Sequence, residues 1–219
     1  EKPLPGALMV RVAESHLRVG TFEFAAQLEG THHLQALLEY AIQRHLPQAA
    51  AAEVPAVAFL QECCRRQASL VAKWMAVGFV HGVMNTDNVA ISGETIDYGP
   101  CAFLDEADPG AVYSSIDQQG RYAYGNQPRI AHWNLAVLAS ALLPLIDADT
   151  GKAESIATEA LNTFPRYFQI FWREEMAAKF GIQQSREEDE EWIADFLQTL
   201  EETRQDYTTA FTALETRIP

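Results

Sequence analysis

The stretch His81-Gly82-Val83-Met84-Asn85-Thr86-Asp87-Asn88 is followed, nine residues after Asn88, by Asp97-Tyr98-Gly99. Between them, two short runs at residues 89–91 and 95–97 flank a Ser-Gly turn signal, which predicts a small β-hairpin. Because a hairpin returns the chain close to its start, we expect the polar residues at its two ends to meet. The sequence therefore predicts an oxygen-rich site in the middle of the chain.

The residues on both sides of this loop repeat apolar side chains with helical spacing. This periodicity, with the Pro and Gly residues that bound it, predicts a mostly α-helical fold with one small β-hairpin. We find no internal repeat and no linker that would divide residues 1–219 into two domains. Helices are predicted at residues 31–46, 55–78, 130–143, 153–180 and 187–214.

Composition and charge exclude several classes of protein. A hydrophobic content of 48% with 10% aromatic residues is typical of a folded globular chain. The net charge of −14 argues against binding to the phosphate backbone of nucleic acids. Three cysteines give neither a disulfide framework nor spaced zinc ligands. The apolar residues 130–146 are interrupted by polar residues and a proline, so we predict no membrane span.

The spacing of the central loop matches that of kinase-like enzymes. Their His-x-Asp-x-x-x-x-Asn loop has the length of residues 81–88, and their Asp-Phe-Gly turn corresponds to Asp97-Tyr98-Gly99. In these enzymes the Asn and the turn Asp bind magnesium at the phosphates of ATP, so Asn88 and Asp97 are candidate magnesium ligands. Val83 stands where kinases have their catalytic Asp, and it cannot accept a proton. A displaced base such as Asp87 is therefore expected.

At this level of detail the chain resembles the selenoprotein O family. The similarity is dense over residues 6–146 and weaker beyond. Four blocks carry it, namely Arg11-Val12-Ala13-Glu14-Ser15-His16-Leu17-Arg18-Val19-Gly20-Thr21-Phe22, residues 81–88, Thr95-Ile96-Asp97-Tyr98-Gly99-Pro100 and Gly120-Arg121-Tyr122-Ala123-Tyr124-Gly125-Asn126-Gln127-Pro128.

The resemblance implies a pseudokinase fold that binds ATP in a flipped pose and transfers AMP to Ser, Thr or Tyr hydroxyls of target proteins. By matching motif positions, Asp87 is implied to be the proton acceptor. Asn88 and Asp97 are implied to bind magnesium, for which manganese can substitute, and Asp97 also faces the nucleotide. Arg11 and Arg18 are implied to bind phosphate. The implied location is the cytoplasm in a bacterium or the mitochondrion in a eukaryote.

The resemblance also implies that residues 1–219 form the kinase-like C-lobe of an α+β parent fold. Nothing in the chain resembles the glycine-rich loop or the lysine of a kinase N-lobe. We therefore expect this polypeptide to be inactive by itself. An isolated lobe would expose apolar surface, which favours self-association.

Other interpretations of the same residues stay open. Asn88 and Asp97 can cap turns, and Asp87 can form an Asx-turn. Arg11 and Arg18, seven residues apart, can lie on one helical face or form surface ion pairs. For the parent protein, a conventional phosphotransferase and a non-catalytic nucleotide-binding pseudokinase are the alternatives.

Overall fold

The computed structural model describes residues 6–215, except for the side chain of residue 215. The described chain is mostly helical and contains one small antiparallel sheet, which confirms the predicted secondary-structure class. The kinase-like lobe stays a prediction. The helices are α1 (Val19–Gln27), α2 (His32–His45), α3 (Pro55–Val77), α4 (Gln127–Ile146), α5 (Thr150–Leu161), α6 (Thr163–Lys179), α7 (Asp189–Glu202) and α8 (Tyr207–Glu215).

Helix α3 is the centre of the core. It begins at Pro55, whose fixed φ suits a first helical turn, and ends at Val77, where the following Gly78, with φ of 69°, forms the left-handed cap. Helix α3 packs against α4, α5 and α6. Phe59, Leu60 and Val71 are fully buried in this core. Each such side chain contributes roughly 1.5 to 3 kcal/mol through burial.

The sheet closes the base of the central loop. Strands β1 (Phe79–Val80) and β2 (Ala102–Phe103) pair antiparallel directly before and after the loop. The hairpin predicted at residues 89–97 is wrong in extent, since only one bridge joins Val89 to Thr95 there. The reason is that residues 89–91 pair instead with the segment before α1, through hydrogen bonds such as Ile91 N–H to the Leu17 carbonyl. The β1–β2 pair therefore closes the loop, in place of the predicted hairpin.

Two of the predicted helices are each divided into two. The predicted helix 153–180 breaks between α5 and α6, because Pro165 in the first turn of α6 has no N–H to continue the preceding helix. The predicted helix 187–214 breaks between α7 and α8. There the chain pairs with a distant segment, with Ala107 N–H donating to the Gln205 carbonyl and Tyr207 N–H to the Asp105 carbonyl. Helix α1 was not predicted, and α4 extends three residues beyond its prediction at each end.

Helix α4 is the most apolar helix of the described chain. By length and composition alone, Tyr124–Ile146 could cross a membrane, with a mean hydropathy of 1.4. Half of its most apolar window is buried in the fold, and Leu135, Leu138 and Leu142 are fully buried against the rest of the core, so core packing accounts for these side chains.

Candidate functional site

A cavity of about 530 Å³ brings four of the five predicted site residues together. Asn88 does not line it, but it directly follows Asp87, which does. The cavity lies between the extended segment before α1 and the central loop. Its lining residues are Arg11, Val12, Ala13, His16, Arg18, Asp87, Thr95, Ile96, Asp97 and Tyr98.

Asp87 and Asn88 lie on one 3-10 turn, Thr86–Asn88. The Asn88 side-chain Nδ2 donates to the Val83 carbonyl at 3.0 Å, so the amide does stabilise the turn. That bond uses the nitrogen and leaves the Oδ1 oxygen as the atom that can bind a metal. From helix α4, Asn134 Nδ2 donates to the Met84 carbonyl at 2.9 Å and anchors the loop to the core.

Asp97 has an unusual backbone conformation. Its φ is 56°, in the left-handed region that non-glycine residues rarely occupy. The Gly99 N–H donates to the Asp97 carbonyl at 2.9 Å, which forms a tight turn with an exposed carboxylate. Holding a non-glycine residue in this backbone conformation costs of order 1 to 3 kcal/mol of folding free energy. Residues in such conformations cluster at functional sites. The backbone strain therefore supports a functional role for Asp97.

His81 positions the chain immediately before Asp97. The Val83 N–H donates to His81 Nδ1 at 3.4 Å, so Nε2 is the protonated nitrogen and donates to the Ile96 carbonyl at 2.7 Å. Burial is the main cause that lowers the pKa of His81 below its ordinary value, which keeps the ring neutral. The hydrogen bonds of His81 thus give it a structural role in the loop.

Helix α3 also holds the segment before Asp97. Trp74 Nε1 donates to Thr95 Oγ1 at 2.9 Å, and its ring lies 5.5 Å from the ring of His81, centroid to centroid. From the start of α4, Gln127 accepts the His81 N–H at 2.9 Å and donates to the Phe79 carbonyl at 2.8 Å. The turn that bears Asp97 is therefore fixed to the core by two helices.

Both arginines reach the cavity, but not from a helical face. Arg11 lies in an extended segment and Arg18 immediately precedes α1, so the helical-face alternative is wrong. Arg18 Nη1 donates to the Asp87 carbonyl at 3.0 Å. The Arg11 guanidinium lies 4.2 Å from the ring centroid of Tyr98. None of the ion pairs found within residues 6–215 involves either arginine, which leaves their charge for a ligand.

The extended segment that bears the arginines is fixed at its midpoint. Both Glu94 carboxylate oxygens accept the Glu14 N–H, at 3.1 and 3.0 Å, and the Ser92 hydroxyl donates to Glu94 at 2.7 Å. Arg44 Nη2 donates to the Glu14 carbonyl at 2.9 Å. Burial opposes ionisation of Glu94, but these hydrogen bonds outweigh it and lower the pKa of the carboxyl.

Several residues that line the cavity were not predicted from the sequence. His16, Thr95 and Tyr98 line the cavity, and all three lie inside the motif blocks quoted above, so their position in those blocks was the available signal. Glu94 lies outside the blocks, and no local pattern points to its contact with Glu14.

A second, larger cavity of about 760 Å³ lies among α6, α7, α8 and residues 104–109. None of the predicted site residues lines it, and its wall is mostly apolar, with Leu104, Trp172 and Leu197 among its members. The smaller cavity, which is lined by two arginines and two aspartates, is therefore the candidate active site.

The donor set fits magnesium bound together with a phosphate. Within residues 6–215 no group of three or more His, Cys, Asp or Glu side chains is arranged to hold a metal by itself. Magnesium is commonly held by one or two carboxylates together with substrate phosphates and water. The Asp97 carboxylate and the Asn88 Oδ1 would be the hard oxygen ligands of such a site.

Comparisons with known proteins identify the family of the chain. Residues 2–218 match the family model described as Protein adenylyltransferase SelO. The chain is 53% identical over 214 residues to a protein of Bacillus cytotoxicus named Protein nucleotidyltransferase YdiU, covering 98% of the chain and 44% of that protein. The equally named protein of Cereibacter sphaeroides is 54% identical over 211 residues, covering 96% of the chain and 44% of that protein.

The chain thus spans less than half the length of the curated relatives it matches. The match nevertheless covers nearly every residue of the chain, and it includes all five predicted site residues. The resemblance drawn from the motif blocks is confirmed. On this evidence the chain belongs to the SelO family.

Proposed function

We propose that this chain carries part of the active site of a protein adenylyltransferase, which transfers AMP from ATP to Ser, Thr or Tyr hydroxyls of proteins. The observation that carries the proposal is the convergence of Arg11, Arg18, Asp87 and Asp97 on one cavity. Two cations and two carboxylates around one space suit a nucleotide that arrives with a divalent metal. The family description and the relatives' name, nucleotidyltransferase, support this chemistry.

Each of the chain's own residues has a distinct task in the proposed reaction. Arg11 and Arg18 bind phosphate oxygens, because a guanidinium presents a planar fork of donors to them. Asn88 and Asp97 would hold magnesium, which when bound would offset the negative charge of the phosphates. Asp87 accepts the proton of the acceptor hydroxyl as its oxygen bonds to the α-phosphorus and the bond to pyrophosphate breaks.

The fold proposed for the parent is kinase-like, with this chain as its C-lobe. The loop 81–88 and the turn at Asp97 both belong to the segment 81–101, which β1 and β2 close. This order and spacing are those of a kinase-like enzyme. Val83 is half-buried and stands at the position of the kinase base. AMP transfer with Asp87 as the base therefore fits the residues better than ordinary phosphoryl transfer.

Labelled ATP tests this proposal. A version of the protein extended to the length of its relatives is incubated with candidate protein substrates and with ATP labelled in either the adenine or the γ-phosphate. We expect only the adenine label to enter protein, and we expect Asp97→Asn to abolish the labelling. Asp195→Asn, which changes an exposed carboxylate on α7 remote in sequence from the site, is the matched control.

Transfer of the γ-label would instead establish a conventional phosphotransferase. Binding of ATP and magnesium without labelling of any protein would favour a non-catalytic pseudokinase.

A further inference from the structure

Gly20 is the second residue of α1, where nothing in its own backbone requires a glycine. It is not among the glycines with positive φ, and it lies inside a regular helix. Glycine in a helix is less favourable than alanine by about 0.8 to 1 kcal/mol. A reason outside the helix is therefore needed for its presence.

The surroundings of Gly20 supply that reason. A Cβ atom on Gly20 would overlap Oδ1 of Asp87 and would lie 3.2 Å from Cγ of the same side chain. The distance from this Cβ to Oδ1 would be under 3.0 Å, which real Cβ atoms essentially never show. Helix α1 also packs against the 3-10 turn that carries Asp87. The absence of a side chain at Gly20 thus provides the space that the Asp87 carboxylate occupies.

Asp87 is held from its backbone side as well. Arg18 Nη1 donates to the Asp87 carbonyl at 3.0 Å, and Arg18 is only two residues before Gly20. The chain around the start of α1 therefore fixes the Asp87 carbonyl through Arg18 and leaves room for its carboxylate beside Gly20. Because the backbone is fixed, an added methyl group would be relieved most easily by rotation of the Asp87 carboxylate away from α1.

We propose that Gly20 is a positioning residue that sets the orientation of the Asp87 carboxylate in the cavity. This inference rests on the proposed function, in which Asp87 accepts the proton of the acceptor hydroxyl. A methyl group at residue 20 turns the carboxylate away from its place and slows proton removal. It leaves phosphate binding by Arg11 in place, because that arginine lies on the far side of the Glu94 contact with the segment.

Gly151 provides a matched control for the helix effect. It is also the second residue of a helix, α5, and a Cβ there would meet only Asp149 Oδ1 at 3.4 Å, an ordinary contact. Gly151 does not line the cavity. Alanine at either position should keep or raise the melting temperature, by up to about 4 °C for a chain of this size.

The first experiment compares crystal structures of this chain as wild type, Gly20→Ala and Gly151→Ala. We expect the Asp87 carboxylate to turn away from α1 in Gly20→Ala alone. An unchanged carboxylate in Gly20→Ala would overturn the inference without bearing on AMP transfer.

The second experiment measures kinetics in the version extended to the length of the relatives. Gly20→Ala should lower kcat by about 10- to 100-fold, as a small misplacement of a catalytic group does. The KM for ATP should stay close to its wild-type value. The melting temperature should stay the same or rise. In an Asp87→Asn background, Gly20→Ala should cause no further loss, because the group it displaces no longer acts as a base.

An equal loss in both backgrounds, or a loss matched by Gly151→Ala, would overturn the positioning role. If the wild type transfers no AMP although the carboxylate turns in the Gly20→Ala crystal, the proposed function fails while the positioning contact is supported.

Discussion

Replacement of Glu94 by Ala should release the segment that carries the two arginines. In the structure the Glu94 carboxylate accepts the Glu14 N–H on both oxygens and the Ser92 hydroxyl on one. Hydrogen bonds to a charged group contribute roughly 1.5 to 3 kcal/mol each when shielded from water. Glu14 is exposed and Glu94 is half-buried, so water replaces part of this interaction. We therefore expect a loss of about 1 to 2 kcal/mol in the free energy of unfolding.

Thermal unfolding of this chain, followed by circular dichroism, measures the loss. For 150 to 250 residues, 1 kcal/mol corresponds to about 2 to 4 °C, so Glu94→Ala should lower the melting temperature by about 2 to 8 °C. Glu94→Gln keeps an acceptor oxygen without the charge and should lose about half as much. Hydrogen exchange at the amides of residues 14 and 15 should accelerate in the Ala variant.

Glu29→Ala is the matched control, because Glu29 is an exposed glutamate outside the helices. Its change in stability should stay within about 0.5 kcal/mol. If Glu94→Ala unfolds at the same temperature as Glu29→Ala, or if exchange at residues 14 and 15 is unchanged, the argument that Glu94 fixes this segment is refuted.

Three further predictions concern the site. Burial lowers the pKa of His81 in the folded chain, so the unfolded chain binds more protons below about pH 6.5. The free energy of unfolding should therefore fall as the pH drops below that value. His81→Gln should weaken this pH dependence, measured as the unfolding midpoint at a series of pH values. Asp97→Asn should weaken Mn²⁺ binding in the presence of ATP more than Asn88→Ala does, because the carboxylate of Asp97 is a stronger metal ligand than the neutral amide of Asn88. Equal Mn²⁺ affinities of the two variants, measured by electron paramagnetic resonance, would contradict the assignment. In the version extended to the length of the relatives, Arg11→Ala and Arg18→Ala should each raise the KM for ATP by about tenfold or more, and an unchanged KM would remove that arginine from the phosphate site.

The short spacing of the central loop predicted that Asp87 and Asp97 lie at one site. The spacing from His81 to Asn88 and on to Asp97 is short, and Asp87 and Asp97 do line one cavity, although the β1–β2 pair and not the predicted hairpin closes the loop. The helix with Pro55 at its start and Gly78 at its end was also predicted correctly, because proline and glycine act through their own backbone geometry.

Contacts between distant parts of the chain could not be predicted in this way. Glu94 and Glu14 are 80 residues apart, and neither residue belongs to a periodic pattern that would pair them. The break between α7 and α8 follows from pairing with residues 105–107, about a hundred positions earlier. Gly20 was visible in a motif block, but only the structure shows that Asp87 occupies the space beside it.

The mass of the protein adduct tests the central claim most directly. The version extended to the length of its relatives is incubated with ATP, magnesium and protein substrates, and every protein is weighed intact by mass spectrometry. The proposed cavity predicts an added mass of one AMP in the presence of the wild type, and no added mass with Asp97→Asn. An added phosphate in place of AMP, or the same AMP adduct from Asp97→Asn, would contradict the claim that this cavity transfers AMP.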